Sequence, residues 1–149
     1  MFSVVEVMST ELCTLGPDGS LEDARKMMAK RHIRHIPVVE EGDRLVGLVS
    51  QRDILAAANS TLLVDPNGRD SDEADVSISS VMVTKVSTVD ESASLRGAAM
   101  RMEQHKIGCL PVVRGECLVG IITDSDFVGI AVNLMEQMED VEPEDQELL

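Results

Sequence analysis

The chain contains no tryptophan and no tyrosine, and Phe2 and Phe127 are its only aromatic residues. Space-filling therefore falls to methionine, a flexible side chain that adapts to irregular gaps, at Met8, Met27, Met28, Met82, Met100, Met102, Met135 and Met138. Cysteine is scarce. Cys13, Cys109 and Cys117 show no C-x-x-C spacing, so neither a disulfide framework nor a zinc site is indicated, and reduced, partly buried thiols are expected. Basic residues number 13 against 27 acidic ones, a net charge of −14. That balance argues against a nucleic-acid partner, because phosphate backbones require clustered cations. No apolar run approaches the ~20 residues needed to span a membrane, and Met1-Phe2-Ser3-Val4-Val5-Glu6 lacks the basic start of a secretion signal. No membrane partner and a cytoplasmic location are expected. No nucleophile has a base beside it, and neither a metal-ligand cluster nor a glycine-rich phosphate loop is present, so an enzyme, a metal site and a cofactor are not expected.

What is present is an ordinary globular composition, 44% hydrophobic and 27% charged, in 149 residues. Such a length suits one domain, or two small units sharing a core, and buries about two-thirds of the unfolded surface. The few cations are gathered locally. Arg25, Lys26, Lys30, Arg31 and Arg34 fall in one segment with His32 and His35. Most of these suit a solvated helix face, and His32 and His105 read as surface residues.

An internal repeat dominates the sequence. Val7-Met8-Ser9-Thr10 answers to Val81-Met82-Val83-Thr84, and Thr14 to Thr88. Ser20-Leu21 matches Ser94-Leu95, Ala24 matches Ala98, Met28 matches Met102, and Ile33 matches Ile107. Pro37-Val38-Val39 then matches Pro111-Val112-Val113, all at one offset. After a single-residue deletion, Leu45-Val46-Gly47-Leu48-Val49-Ser50-Gln51-Arg52-Asp53 aligns with Leu118-Val119-Gly120-Ile121-Ile122-Thr123-Asp124-Ser125-Asp126. The chain is two copies of one supersecondary unit.

Each copy reads as strand, helix, strand, strand, helix. Leu12-Cys13-Thr14-Leu15 and Val86-Ser87-Thr88-Val89 are short and suit strands. Ser20 caps a helix with Asp23 three residues on, whereas Ser94 has Gly97 in that place and a weaker cap. Leu21, Ala24 and Met28, and Leu95, Ala98 and Met102, share one helix face, and the helices are expected to stop near Arg31 and His105. Pro37 and Pro111 open strands in which they cannot hold a central ladder position. Hairpin turns at Glu40 to Arg44 and Arg114 to Cys117 lead into the second strands. Final helices run from Arg52 to about Ala58 and from Ser125 towards Met138. This order predicts an α+β fold with small sheets and helices laid on them.

The expected division is a first repeat at 1–60, a polar linker at 61–76, a second repeat at 77–138 and an acidic tail at 139–149. The whole stretch Asn59 to Ser77 reads as an exposed loop, in which Asp65 to Asp70 falls short of a calcium loop for want of its glycine and closing glutamate. The tail from Glu139 to Glu147 reads as disordered.

The last element of each copy carries the chemistry. A hydroxyl residue ends the strand and an aspartate follows three positions later, at Ser50/Asp53 and Thr123/Asp126. By itself this is a capping box, worth about 1 kcal/mol at each helix start. It also places a hydroxyl and a carboxylate where free helical N–H groups point, which suits a polar or anionic ligand.

The doubled apolar-Pro-Val-Val and Gly-apolar-apolar-Ser/Thr-x-x-Asp elements, in order and at these spacings from about Val4 to Met138, resemble a tandem pair of CBS domains. The chain looks like a stand-alone CBS-pair protein. The resemblance implies two repeats intertwined about a pseudo-two-fold axis, with an adenosine-containing ligand in the clefts between them. It implies ribose contacts from Thr123 and Asp126 in one cleft and from Ser50 and Asp53 in the other; a carboxylate accepts both hydrogen bonds of a vicinal diol. The base is implied to lie against the opposite repeat: Leu12, Cys13, Ile33 and Pro37 facing Asp126, and Val86, Ser87, Ile107 and Pro111 facing Asp53. Phosphate contacts are implied from Arg34, His35 and Arg52 at the Asp126 cleft, against uncharged Gly108, Cys109 and Ser125 at the matching positions, with Arg34 also within reach of the Asp53 cleft. The Asp126 cleft is thus expected to be the better nucleotide site. A non-enzymatic sensor of AMP, ADP or ATP, acting as a homodimer on a protein partner, is the function implied. S-adenosylmethionine or NAD would satisfy the same ribose contacts, and an interaction module with vestigial clefts is the alternative.

Overall fold

The computed structural model describes residues 2–58 and 73–141. Helix α1 (Leu21–Arg31) starts where Ser20 Oγ accepts from the Asp23 amide at 3.1 Å and Asp23 Oδ2 accepts from the Ser20 amide at 3.1 Å. Helix α3 (Leu95–His105) has half of that device: the Gly97 amide donates to Ser94 Oγ at 3.0 Å with nothing returned, because glycine has no side chain. Both helices end at a residue in the left-handed region, His32 and Lys106, each with φ 54°.

Two antiparallel hairpins follow these helices. Strand β1 (His35–Glu40) pairs with β2 (Arg44–Ser50), and β4 (Cys109–Arg114) with β5 (Cys117–Thr123). Each β2 or β5 carries a bulge at the same place, where Val38 faces Gly47 but Val39 faces Leu45, and Val112 faces Gly120 but Val113 faces Leu118. The hairpins join through the single pair Arg44 and Cys117 and, with the short strand β3 (Val89–Asp90), form one sheet of order β1-β2-β5-β4-β3. Helices α2 (Gln51–Ala58) and α4 (Asp124–Val141) start directly at the ends of β2 and β5. This is the expected α+β architecture.

The first predicted strands are nearly absent, and the prolines explain why. Leu12–Leu15 contributes only a bridge from Leu15 to Val38, in which the Leu15 amide donates to the Pro37 carbonyl and the Val39 amide to the Leu15 carbonyl. The next bond of that parallel ladder would run from the amide of residue 37 to the carbonyl of Cys13, and proline has no N–H. Strand β3 is likewise only Val89–Asp90, paired with Val112 and Val113, since Pro111 has no N–H for Ser87.

The repeats exchange their leading segments. Val4 is fully buried in the core of the second repeat with Val89, Ala98, Met102, Leu110, Val112 and Ile122. Conversely, Val76 and Ile78 are buried in the first core with Leu21, Ala24, Met28, Ile36, Val38, Val49 and Ile54. The stretch from 73 onward is therefore not the exposed loop expected for Asn59 to Ser77: Glu73–Asp75 forms a 3-10 turn and Val76 accepts from the Leu21 amide. The candidate calcium loop and the tail after Val141 lie outside the described residues, and α4 runs three residues beyond the expected Met138. Among the described residues no helix is long and apolar enough to cross a membrane.

The exchanged segments seat methionines on glycines. A Cβ on Gly47 would stand 2.5 Å from Met82 Sδ, and one on Gly120 would stand 2.9 Å from Met8 Cγ. Gly120→Val is expected to destabilise the protein by about 1–3 kcal/mol through overpacking. In urea denaturation the Met8→Ala/Gly120→Val double variant should lose clearly less than the two single losses combined, because the two sites compete for one space. Strict additivity would place Met8 elsewhere.

Candidate functional site

Two cavities lie between the repeats, and each is walled by both. The first, about 250 Å³, is lined from the first repeat by Glu11, Leu12, Cys13, Ile33, Arg34, His35 and Pro37 and from the second by Ile121, Thr123, Asp124, Ser125 and Asp126. The second, about 720 Å³, is lined by Ser50, Arg52 and Asp53 from the first repeat and by Lys85, Val86, Ser87, Lys106, Ile107, Gly108 and Cys109 from the second, with Arg34, His35 and Asp124 on its wall as well.

The hydroxyl and carboxylate pairs are built by the strand-to-helix corners. In one, the Ser50 amide donates to Asp53 Oδ2 at 2.8 Å and the Asp53 amide to Ser50 Oγ at 3.1 Å. In the other, the Thr123 amide donates to Asp126 Oδ2 at 2.8 Å and Thr123 Oγ1 donates to the same oxygen at 3.3 Å. Both aspartates are thus caps. Each keeps Oδ1 without a hydrogen bond among the described residues, so the capping role leaves an acceptor facing the cleft.

Of the residues expected around Asp126, the structure brings together Thr123, Asp126, Leu12, Cys13, Ile33, Arg34, His35 and Pro37. Arg52 is not among them. It stands in the second cavity, one residue before Asp53 in the same first helical turn, and so belongs to the cleft that Asp53 serves. Around Asp53 the structure gathers Ser50, Val86, Ser87 and Ile107, whereas Pro111 is fully buried in β4 and does not reach the cavity. Sequence reasoning missed Lys85 and Lys106 in the second cavity, and Glu11 and Asp124 in the first. His32, read as a surface residue, is exposed and yet lines the first cavity, opposite in the repeat to Lys106 in the second. These two are the left-handed residues after α1 and α3, a signal visible only in the backbone.

The cavities share a wall at the pseudo-two-fold axis. Arg34 and Asp124 approach to 3.9 Å across it, both more than half exposed, an ion pair of little energy. The Gln51 amide donates to the Arg34 carbonyl at 2.8 Å and the Asp124 amide to the Gly108 carbonyl at 3.0 Å, which ties each helix start to the strand beside it. Asp124 packs close to Gly108: a Cβ there would be 3.2 Å from Asp124 Oδ2 and would crowd the carboxylate. Burial pushes the Cys109 thiol up to about 12, with Asp124 and Asp126 adding to the effect, so this wall residue is an unreactive thiol at neutral pH. Among the described residues no cluster of three or more His, Cys, Asp or Glu side chains is placed to hold a metal ion.

With this geometry in hand, comparison with known proteins is decisive. The family model for the CBS domain matches residues 4–60 and 78–133. The chain belongs to the CBS family. As a CBS pair it is 35% identical to CBS domain-containing protein YhcV of Bacillus subtilis (strain 168), over 91% of this chain and 87% of that protein. A homoserine O-acetyltransferase of Methanohalophilus mahii is 33% identical over 87% of this chain but only 24% of its own length, a CBS-sized portion. Among solved structures, a protein from Vibrio cholerae assigned to acetoin utilization (AcuB) is 44% identical with a TM-score of 0.80, covering 94% of this chain and 97% of that one. The CBS pair of protein MJ0100, in complex with 5′-methylthioadenosine and S-adenosylmethionine, gives 26% and 0.74, covering 89% and 98%. CBSX2 in complex with AMP gives 26% and 0.75, covering 91% and 99%. CBS domains are regulatory modules, and catalysis is not their general role.

The shared wall generates a pH dependence. Burial of His35 disfavours its imidazolium and holds the pKa below the ordinary 6.5, with Asp124 and Asp53 opposing and Arg34 reinforcing the shift. The unfolded chain binds the extra proton more readily, so this contribution to stability is complete above 6.5 and is lost as pH falls through the lowered value. Thermal unfolding between about pH 7.5 and 5.5 should show a steeper loss for wild type than for His35→Gln. Parallel profiles would remove His35 from the buried wall.

Proposed function

We propose that this CBS pair is a cytoplasmic, non-enzymatic sensor that binds an adenine nucleotide, AMP or ATP, between its repeats and signals to a partner protein by a change of shape. The observation that carries it is the second cavity. A hydroxyl and a carboxylate suited to a ribose diol stand there beside Arg34, Arg52, Lys85 and Lys106, in a protein of net charge −14. These four cations outnumber the two carboxylates of the same cleft, Asp53 and Asp124, and a phosphate supplies further negative charge for them to share. CBSX2 with AMP and MJ0100 with its two adenosine compounds support the ligand class. The position of Arg52 on the wall of the second cavity supports the Asp53 cleft as the phosphate site in this reading.

A homodimer belongs to the same reading. Helix α4 exposes Val128, Val132, Met135 and Met138 at 63%, 47%, 61% and 66%, a stripe at helical spacing that a monomer leaves in water. A second copy meeting this stripe about a two-fold axis buries it. The stripe also serves the alternative reading, a ligand-independent interaction module.

Isothermal titration separates the two. Wild type should bind AMP, and Asp53→Ala should weaken binding by about tenfold, the ~1.4 kcal/mol expected of a charge-assisted hydrogen bond. Arg52→Ala should weaken AMP but not adenosine. Absence of heat with AMP, ADP and ATP at millimolar concentration overturns the nucleotide reading and leaves the interaction module. Loss on Asp126→Ala, with Asp53→Ala unaffected, transfers the nucleotide to the other cleft.

A further inference from the structure

The two cavities differ in more than residue identity. The one at Asp53 holds four cationic side chains against the carboxylates of Asp53 and Asp124. The one at Asp126 holds three carboxylates, Glu11, Asp124 and Asp126, and a single guanidinium, Arg34, which already faces Asp124 at 3.9 Å. Volume points the same way. At about 250 Å³ against 720 Å³, the Asp126 cavity is the smaller and offers less space for a phosphate chain than its neighbour.

We infer that the clefts are matched to ligands of opposite charge: the Asp126 cleft takes a non-phosphorylated adenosine derivative and prefers a cationic 5′ substituent, with Glu11 and Asp124 as its selectivity residues. This rests on the proposed adenosine binding and divides it between two sites. The apolar side of that cavity, Leu12, Ile33, Pro37 and Ile121, suits a nucleoside base, and Thr123 with Asp126 suits its ribose. The 5′ position then lies towards the shared wall, where an incoming phosphate would meet Asp124 and have to draw Arg34 away from it. His35 adds no standing positive charge there at neutral pH, since burial favours its neutral form. A protonated amine or a sulfonium meets two carboxylates instead.

A charge series of adenosine ligands tests this: 5′-amino-5′-deoxyadenosine, protonated at neutral pH, then the near-isosteric adenosine, then the larger, anionic AMP. They are titrated into Asp53→Ala, which lacks the ribose acid of the other cleft, and into Asp53→Asn should the alanine variant fail to fold by circular dichroism. Affinity should fall in that order, with steps of about two- to fivefold, the size expected of partly exposed charges. The amine's advantage over adenosine should shrink at high salt and in Glu11→Gln. In Asp126→Ala the order should reverse, AMP binding best. The inference is overturned if AMP matches or exceeds the amine in the Asp53 variants, if none of the three binds there while AMP binds wild type, or if Glu11→Gln leaves the preference intact. Failure of the underlying reading looks different: wild type itself then binds no member of the series.

Discussion

The arrangement on which everything else depends is the crossing of two methionine-bearing segments onto two glycines. Met8 lies in the leading segment of the first repeat but packs on Gly120 of the second, and Met82 lies in the leading segment of the second but packs on Gly47 of the first. Backbone pairing fixes the crossing, since Ser9 exchanges both hydrogen bonds with Ile121, and Val83 does so with Leu48. Neither repeat has a complete core of its own: Val4 fills one and Ile78 the other. The clefts inherit this constraint. Glu11, Leu12 and Cys13 follow Met8 directly, and Lys85, Val86 and Ser87 follow Met82, so seating the methionines delivers these residues to the cavity walls.

The prolines complete that delivery. A parallel ladder that ran the full length of Leu12–Leu15 would bind the carbonyl of Cys13 into the sheet. Pro37 denies it a donor, as Pro111 denies one to Ser87, and the ladder stops two residues short of the cleft. Backbone acceptors are thereby left beside each cavity, at the residues expected to face a base. The same residue type that weakens the sheet opens the site.

This pattern shows what a sequence can and cannot disclose. Helices, caps and hairpins were legible because they depend on spacing along the chain: Ser20 with Asp23, Leu21 with Ala24 and Met28, and the glycine of each Gly-x-x-Ser/Thr element. The offset between repeats pairs residues that are equivalent, yet equivalent residues do not touch. Met8 is equivalent to Met82 but contacts Gly120. Arg52 shows a related limit: the family resemblance implies the Asp126 cleft, whereas the first turn of α2 sets it on the cavity of its neighbour Asp53. Lys85 and Lys106 meet Arg34 and Arg52 only when the second repeat is laid across the first, and the tight approach of Asp124 to Gly108 in the shared wall is likewise visible only in the fold.

The two caps are also not copies of one another, and the difference bears on ligand charge. Ser50 Oγ accepts from the Asp53 amide, so its hydroxyl proton has no acceptor among the described residues and is available to an anion. Thr123 Oγ1 instead donates its proton to Asp126 Oδ2, which leaves only lone pairs to offer and concentrates acceptor character in that corner. One corner of the protein presents a donor beside Arg52, and the other presents acceptors beside Glu11 and Asp124. Because each aspartate caps through Oδ2 and keeps Oδ1 free, a diol can bind without breaking the helix start. The carboxylate is already oriented by bonds worth about 1 kcal/mol before any ligand arrives, so little ordering of the side chain opposes binding.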